Sequence, residues 1–444
     1  MKAGGLPAIA VSGKLIGIAL GALLLSCASA RPFTHVDDLV YTGEWEDSID
    51  TIEKNKKTLY RNTDTILYYL DKGMISHYAQ NYEDSISYLQ DSERAIEDAY
   101  TKSVTMEIGS YILNDKTREY DGEDYEDIYI NAFNALNYYH LNNLEDALVE
   151  IRRMNNKLQF LSSKYGIIMS NLQKQALQES TEIPKDKNIG TTRFSDSALA
   201  RYLGLLFYRG IGQWDDARID QNYLKVAFAN APHVYRYSMP SSVNAELNIP
   251  QDKARLNVIG FSGMSPVKEE EIIRFPLPGA RYLKIALPVI VSRPSPVSRI
   301  EVRVHTGERF NLELLEDIDA VARETFKDKA EVIYTKSVLR GIIKGTASSA
   351  LSIASEEVGG DTGLLLGLIS MGTQVLAEAS ELADLRISRY FPAKAWVGGV
   401  NLAPGAYTVT VYYYSANGKL LASQTKDMEV QLSALNLMET ACLR

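Results

Sequence analysis

Asp121, Glu123, Asp124, Glu126 and Asp127 put five carboxylates into seven residues, a set that could hold a calcium ion. A calcium-binding EF-hand loop needs acids at positions 1, 3 and 5, glycine at 6 and glutamate at 12. With Gly122 at position 6, position 1 is Thr117 and position 12 is Ile128, so the spacing fails. The run reads instead as a solvated helix start. Ser423-Gln424-Thr425-Lys426 has the Ser-x-x-Lys spacing of a penicillin-recognising nucleophile, but the Ser-Asp-Asn and Lys-Thr-Gly elements are missing and the stretch predicts a strand. Gly260-Phe261-Ser262-Gly263 is no nucleophile elbow, because Met264 stands where glycine is needed. There is no phosphate-binding loop or glycine-rich dinucleotide motif. The five histidines are spread widely, without zinc-ligand spacing. No catalytic residue, metal site or cofactor is expected.

A second set of residues suggests binding. Aligned on Gly73, Ala135 and Gly204, three helical stretches carry His77-Tyr78, Tyr139-His140 and Tyr208-Arg209 four and five residues later. One position of each pair should face the concave side of a stacked array. A strip of Tyr, His and Arg suits an extended peptide or polymer, since aromatics and Arg are favoured in binding hot spots. Packing between helices is the plainer reading of the same residues.

The elements that position this strip repeat. Gly43-Glu44-Trp45-Glu46-Asp47-Ser48, Gln80-Asn81-Tyr82-Glu83-Asp84-Ser85, Asn142-Asn143-Leu144-Glu145-Asp146-Ala147 and Gly212-Gln213-Trp214-Asp215-Asp216-Ala217 share one pattern. Turn residues lead to a large apolar residue, two acids and a small residue. That is how the second helix of a helical hairpin begins, with acids favoured by the helix dipole and a small residue allowing close approach. The pattern resembles the tetratricopeptide repeat, whose period is 34 residues. Spacings of 37, 62 and 70 residues between the apolar markers make the array degenerate.

Near the N-terminus, Lys2 and Lys14 precede an uncharged run, Leu15 to Leu25, that ends in Ser26-Cys27. The run is shorter than the roughly 20 residues a bilayer-spanning helix needs and fits a secretory signal. Cysteine directly after Leu-Leu-Ser resembles a bacterial lipoprotein signal, which implies that Cys27 is acylated and becomes the first mature residue. Ala28 then implies sorting to the outer membrane, facing the periplasm. Several acyl chains anchor stably where one does not. Without residues 1–26, Lys2 and Lys14 among them, 45 basic residues face 56 acidic ones. This acidic balance argues against nucleic-acid binding and against adsorption to anionic lipid. Cys442 has no cysteine left to pair with, so no disulfide framework is expected. The 27 tyrosines against 11 phenylalanines suit helix packing near water or a binding groove.

The C-terminal half changes character. Leu256–Phe261, Tyr282–Val291 and Arg299–His305 read as strands. Glu316–Lys344 has helical periodicity, and Ala347–Leu385 is largely apolar helix. Within it, Thr362–Ala377 is uncharged with Gly363 and Gly367 spaced for close helix contact, as a buried helical hairpin or a membrane or partner contact. Ala395–Leu402, Tyr407–Tyr414 and Leu420–Val430 return to strands, the last two joined at Asn417-Gly418, a hairpin signal.

Several stretches resemble one family of bacterial lipoproteins with tetratricopeptide-like helices, a family without an established activity. They are Gly122–Asp127, Ala135–Tyr139, Ala147–Arg153, Pro266-Val267-Lys268, Ala383–Arg386 and Phe391–Ala393. The expectation is an α+β chain: signal peptide 1–26, lipidated tether 27–35, tetratricopeptide-like helical domain 36–235, linker 236–255, and mixed β domain 256–444 with a helical insertion at about 316–385. The two halves should have separate cores. Function reads as a non-enzymatic, lipid-anchored envelope scaffold or regulator that binds a protein or peptide through His77, Tyr78, Tyr139, His140, Tyr208 and Arg209. The alternative is an envelope enzyme or small-ligand binder with a site between the two domains, which a closed pocket with converging ionisable groups would favour.

Overall fold

The protein is described by a computed structural model, which describes residues 33–105, 118–178, 194–277, 281–345 and 383–444. The Cys27 signal and the apolar stretch 362–377 lie outside these residues. Among the described residues, no helix is long and apolar enough to cross a membrane.

The first half is helical: α1 (Thr34–Thr42), α2 (Trp45–Leu59), α3 (Thr65–Tyr78), α4 (Tyr82–Thr105), α5 (Asp124–His140), α6 (Leu144–Gln178), α7 (Ala198–Gly210) and α8 (Trp214–Asn230). The four-copy sequence pattern has one backbone meaning. Its first residues, Gly43, Gln80, Asn142 and Gly212, all have positive φ, at 83°, 66°, 59° and 77°. In each copy the next amide reaches back to the carbonyl five residues earlier: Glu44 to Leu39, Asn81 to Ser76, Asn143 to Tyr138 and Gln213 to Tyr208. This is the Schellman closure of a helix. The large apolar residue then opens the next helix, at Trp45, Tyr82, Leu144 and Trp214. The small sixth residues, Ser48, Ser85, Ala147 and Ala217, are fully buried. Helices pair as α3 with α4, α5 with α6, and α7 with α8. At Gly73 an added Cβ would lie 2.8 Å from the Leu89 side chain, so the glycine permits that approach.

The second half is strand: β1 (Ala254–Met264), β2 (Val267–Leu277), β3 (Arg281–Val291), β4 (Val297–Val304), β5 (Arg309–Asn311), β6 (Glu313–Asp317), β7 (Pro392–Leu402), β8 (Gly405–Ser415), β9 (Leu420–Val430) and β10 (Asn436–Cys442), with helix α9 (Ile318–Gly345) between β6 and β7. One sheet has the order β10-β1-β7-β6, another β5-β4-β8-β9, and β2-β3 is a separate hairpin. Strands before α9 pair with strands after it: β1 with β7 and β10, and β4 with β8.

The described residues are therefore α+β, helices first and sheets second. Strand β1 is buried along ten of its eleven residues because both its faces are covered. Leu256 and Val258 join Ile300, Val302, Val409 and Val411 between the two sheets. Ile259 and Phe261 point the other way, into a cluster that includes Phe133, Leu203 and Phe207 of the helices. The expectation of separate cores gives way here: one apolar cluster runs from Val36 to Leu443 through both halves. The stretch 236–255 is packed too. Val243 and Glu246 are fully buried, and Glu246 receives Arg209 and Arg255 at 2.6 and 2.9 Å.

Candidate functional site at the junction of the halves

Helix α5 starts where expected, at Asp124, but most of the acids at its start are not solvated. Glu123, Asp124 and Glu126 are buried and each has a partner brought from elsewhere in the chain. The expected solvated helix start is thus corrected for Glu123, Asp124 and Glu126, which α6 and the second half cover, while Asp121 stays exposed and Asp127 half-buried. Lys268 of β2 contacts Glu123 Oε1 at 2.5 Å. Lys329 of α9 reaches Asp121 Oδ1 at 2.9 Å, the Gly122 carbonyl at 2.5 Å and Glu123 Oε1 at 3.0 Å. Lys164 and Tyr165 of α6 take the two oxygens of Asp124 at 2.6 and 2.5 Å, and Lys157 takes Asp127 Oδ1 at 2.7 Å. Burial opposes the charge on Lys329, but Asp121, Glu123 and Asp124 outweigh it and hold its pKa well above the ordinary lysine value.

Glu126 accepts three donors: Tyr120 Oη at 2.7 Å, the Glu123 N–H at 2.8 Å and the Ser388 N–H at 2.5 Å. Burial, aided by the Glu123 charge, pushes its carboxyl up to about 7. Ser388 is also held by Asp71, which accepts its hydroxyl and the Arg389 N–H, each at 2.9 Å. Asp71 is raised to about 6 by burial. Residues 383–391 thus form a strap across α1, α3 and α5, with Arg386 on Asp64 at 3.1 Å and Arg389 on Asp37. A third buried carboxylate, Glu316 at the end of β6, accepts Tyr129 Oη at 2.5 Å, the Ser197 hydroxyl and the Leu199 N–H at the start of α7. Burial raises it to about 7.

Beside the Asp121–Asp124 turn lies a cavity of about 400 Å³. Tyr100 of α4, Tyr165 and Ile168 of α6, Ala286 and Pro288 of β3, and Val332 and Ile333 of α9 supply apolar or aromatic wall. Six basic side chains (Lys102, Arg118, Lys164, Lys268, Lys329 and Lys336) line it against four acidic ones (Glu119, Asp121, Glu123 and Asp384). That local excess of positive charge stands out in a chain of net charge −9. Gly122-Glu123, Lys268 and Asp384, from three of the stretches that carry the lipoprotein resemblance, meet at this one cavity.

Most of the His/Tyr/Arg strip is held by the chain's own second half. His77 and His140 hold Glu439 of β10 at 2.6 and 2.8 Å. Tyr139 Oη donates toward the Leu437 and Leu435 carbonyls at 3.1 and 3.3 Å and lies 3.1 Å from the Leu437 N–H. Tyr78 donates to the Tyr390 carbonyl at 3.2 Å. Arg209 reaches Glu246 Oε2 and Asn257 Oδ1, both at 2.6 Å. Tyr208 is separate from these, half-exposed with the Arg152 guanidinium over its ring at 5.9 Å.

Sequence reasoning missed Lys329, Glu316, Arg389 and Glu439, each of which acts on a partner more than a hundred residues away. A signal existed for Glu439, a lone acid in the short apolar stretch Asn436–Cys442. No protein-family model, curated protein or solved structure matches the chain.

Proposed function

We propose that the chain is a lipid-anchored, non-enzymatic protein of a bacterial cell envelope, held by Cys27, that binds a small anionic ligand in the cavity between its tetratricopeptide-like repeats and its sheets. The observation that carries this reading is the cavity itself: turn 118–123, helices α4, α6 and α9, hairpin β2-β3 and the strap converge on about 400 Å³ with a basic excess. Binding pockets combine such apolar walls with a few convergent polar groups. The lysines nearest the Asp121–Asp124 turn are tied to carboxylates, which suits orientation of a ligand better than proton transfer. The repeat reading rests on the four identical turns and buried small residues. A peptide lying along His77, Tyr139 and Arg209 is the less favoured reading, because β10 and Glu246 fill that strip.

Equilibrium binding of citrate and inorganic phosphate, measured by calorimetry on the mature chain, tests this. Saturable binding is expected, weakened at least tenfold by Lys102→Glu with Lys336→Glu, while a neutral sugar gives no heat. Lack of saturation by both anions, or binding unchanged by the charge reversals, overturns it.

A further inference from the structure

His77 closes α3 with both ring nitrogens committed. Nδ1 lies 2.6 Å from Asn137 Oδ1, and Nε2 lies 2.6 Å from Glu439 Oε1. The Asn137 amide is oriented by its own Nδ2, which donates to Ser85 Oγ at 2.8 Å. That hydroxyl in turn donates to the Gly73 carbonyl at 2.8 Å. An oxygen therefore faces Nδ1 and a carboxylate faces Nε2. Neutral imidazole has one N–H and imidazolium has two, so this seat fits the cation. The other carboxylate oxygen of Glu439 meets His140 Nε2 at 2.8 Å, and Tyr82 stacks on the His140 ring at 4.5 Å. Glu439 belongs to β10, the edge strand beside β1, and both histidines belong to the helical half.

We propose that His77, Glu439 and His140 form a proton-operated lock that fastens strand β10 to the helical array. The lock is closed while His77 carries both ring protons. When one leaves, Asn137 Oδ1 retains the Nδ1 proton and a bare Nε2 lone pair faces the Glu439 carboxylate. Two acceptors at 2.6 Å in a buried site repel, so the strand loosens. Burial alone would lower the His77 pKa, but the Glu439 charge and the two hydrogen bonds raise it above 6.5. Its contribution is full below 6.5 and is lost as pH rises through the folded value. Burial alone would raise Glu439, but His77 and His140 carry it well below 4.5. That contribution is lost only as pH falls through the lower folded value. Among the described residues, the other ionisable groups at the lock are the phenols Tyr78 of α3, Tyr82 of α4, Tyr139 of α5 and Tyr413 of β8, all pushed above 10 by burial and so neutral throughout. The lock does not depend on any ligand in the cavity.

Amide hydrogen exchange of the mature chain from pH 6 to 9, corrected for intrinsic rates, reads the lock directly. Protection of the Leu437–Thr440 amides should fall about tenfold per pH unit above the His77 pKa. Glu439→Gln should abolish that slope, and the His77 ring should show two N–H signals by nitrogen-15 NMR at pH 7. A flat wild-type profile, the same slope in Glu439→Gln, or a single His77 N–H at pH 7 overturns the proposal. If Glu439→Gln does not fold, His140→Gln leaves the His77–Glu439 contact in place and should keep the slope at lower protection; a lost slope there overturns it as well.

Discussion

Lys268→Met is the sharpest perturbation of the junction. The side chains of Lys268 and Glu123 are 3% and 2% exposed, and their contact is 2.5 Å. Removing one partner of a buried ion pair costs about 3–5 kcal/mol, because the other charge is left uncompensated. Lys329 still reaches the same Glu123 oxygen at 3.0 Å, which places the loss at the low end, about 3 kcal/mol. Glu123→Gln should cost a similar amount, since it leaves Lys268 over the Phe326 ring at 5.3 Å with no carboxylate. The double substitution removes both charges and should cost far less than the sum, a coupling of at least about 2 kcal/mol. Urea unfolding of the four proteins, followed by circular dichroism, measures this. Single losses under about 1 kcal/mol, or additivity within about 0.5 kcal/mol, would refute the reasoning that buried ion pairs fasten the halves.

Tyr139→Phe should destabilise by about 1–3 kcal/mol, because the Leu437 N–H loses its partner in a part-buried site. Tyr208→Phe should change stability by less than about 0.5 kcal/mol; thermal unfolding compares the two. Gln80→Gly should stabilise by about 1 kcal/mol, since Gln80 holds a φ of 66° that glycine adopts without cost; destabilisation in urea would contradict the turn assignment. Glu126 and Glu316 have folded pKa values near 7, above the ordinary 4.5. Their contribution is full below 4.5 and is lost as pH rises through 7. Glu126→Gln should therefore flatten the fall in unfolding free energy between pH 5 and 8, and an unchanged slope would sink that assignment.

Much of the fold was legible where local chemistry decides it. The four turn copies were read from residue type, and each became a left-handed helix closure because glycine and asparagine tolerate positive φ. Gln80 does so against its preference, and only the repeat betrayed it. Strands β1, β3, β4, β7, β8 and β9 were visible as β-branched runs. Strand β2, with Lys268-Glu269-Glu270-Glu271, and strand β6, with Glu313 and Glu316, hid behind their charges. Those charges are what the junction uses. The site was legible only in pieces: Asp121–Asp127 was seen as acidic, but nothing local shows that Lys268 and Lys329 cover it. The strip from His77 to Arg209 was read as a partner-binding surface, with packing as the plainer alternative. What it holds is β10 and Glu246 of the same chain, which only long-range pairing reveals.

Lysine-resolved NMR shows directly where an anion sits on the protein. The mature chain, with reductively methylated lysines assigned by single Lys→Arg substitutions, is titrated with citrate. Saturable shifts are expected at Lys164, Lys268, Lys329 and Lys336, with His77 and His140 unmoved. Shifts scattered over outward lysines such as Lys54 without saturation, or confined to the His77–His140 region, would contradict it.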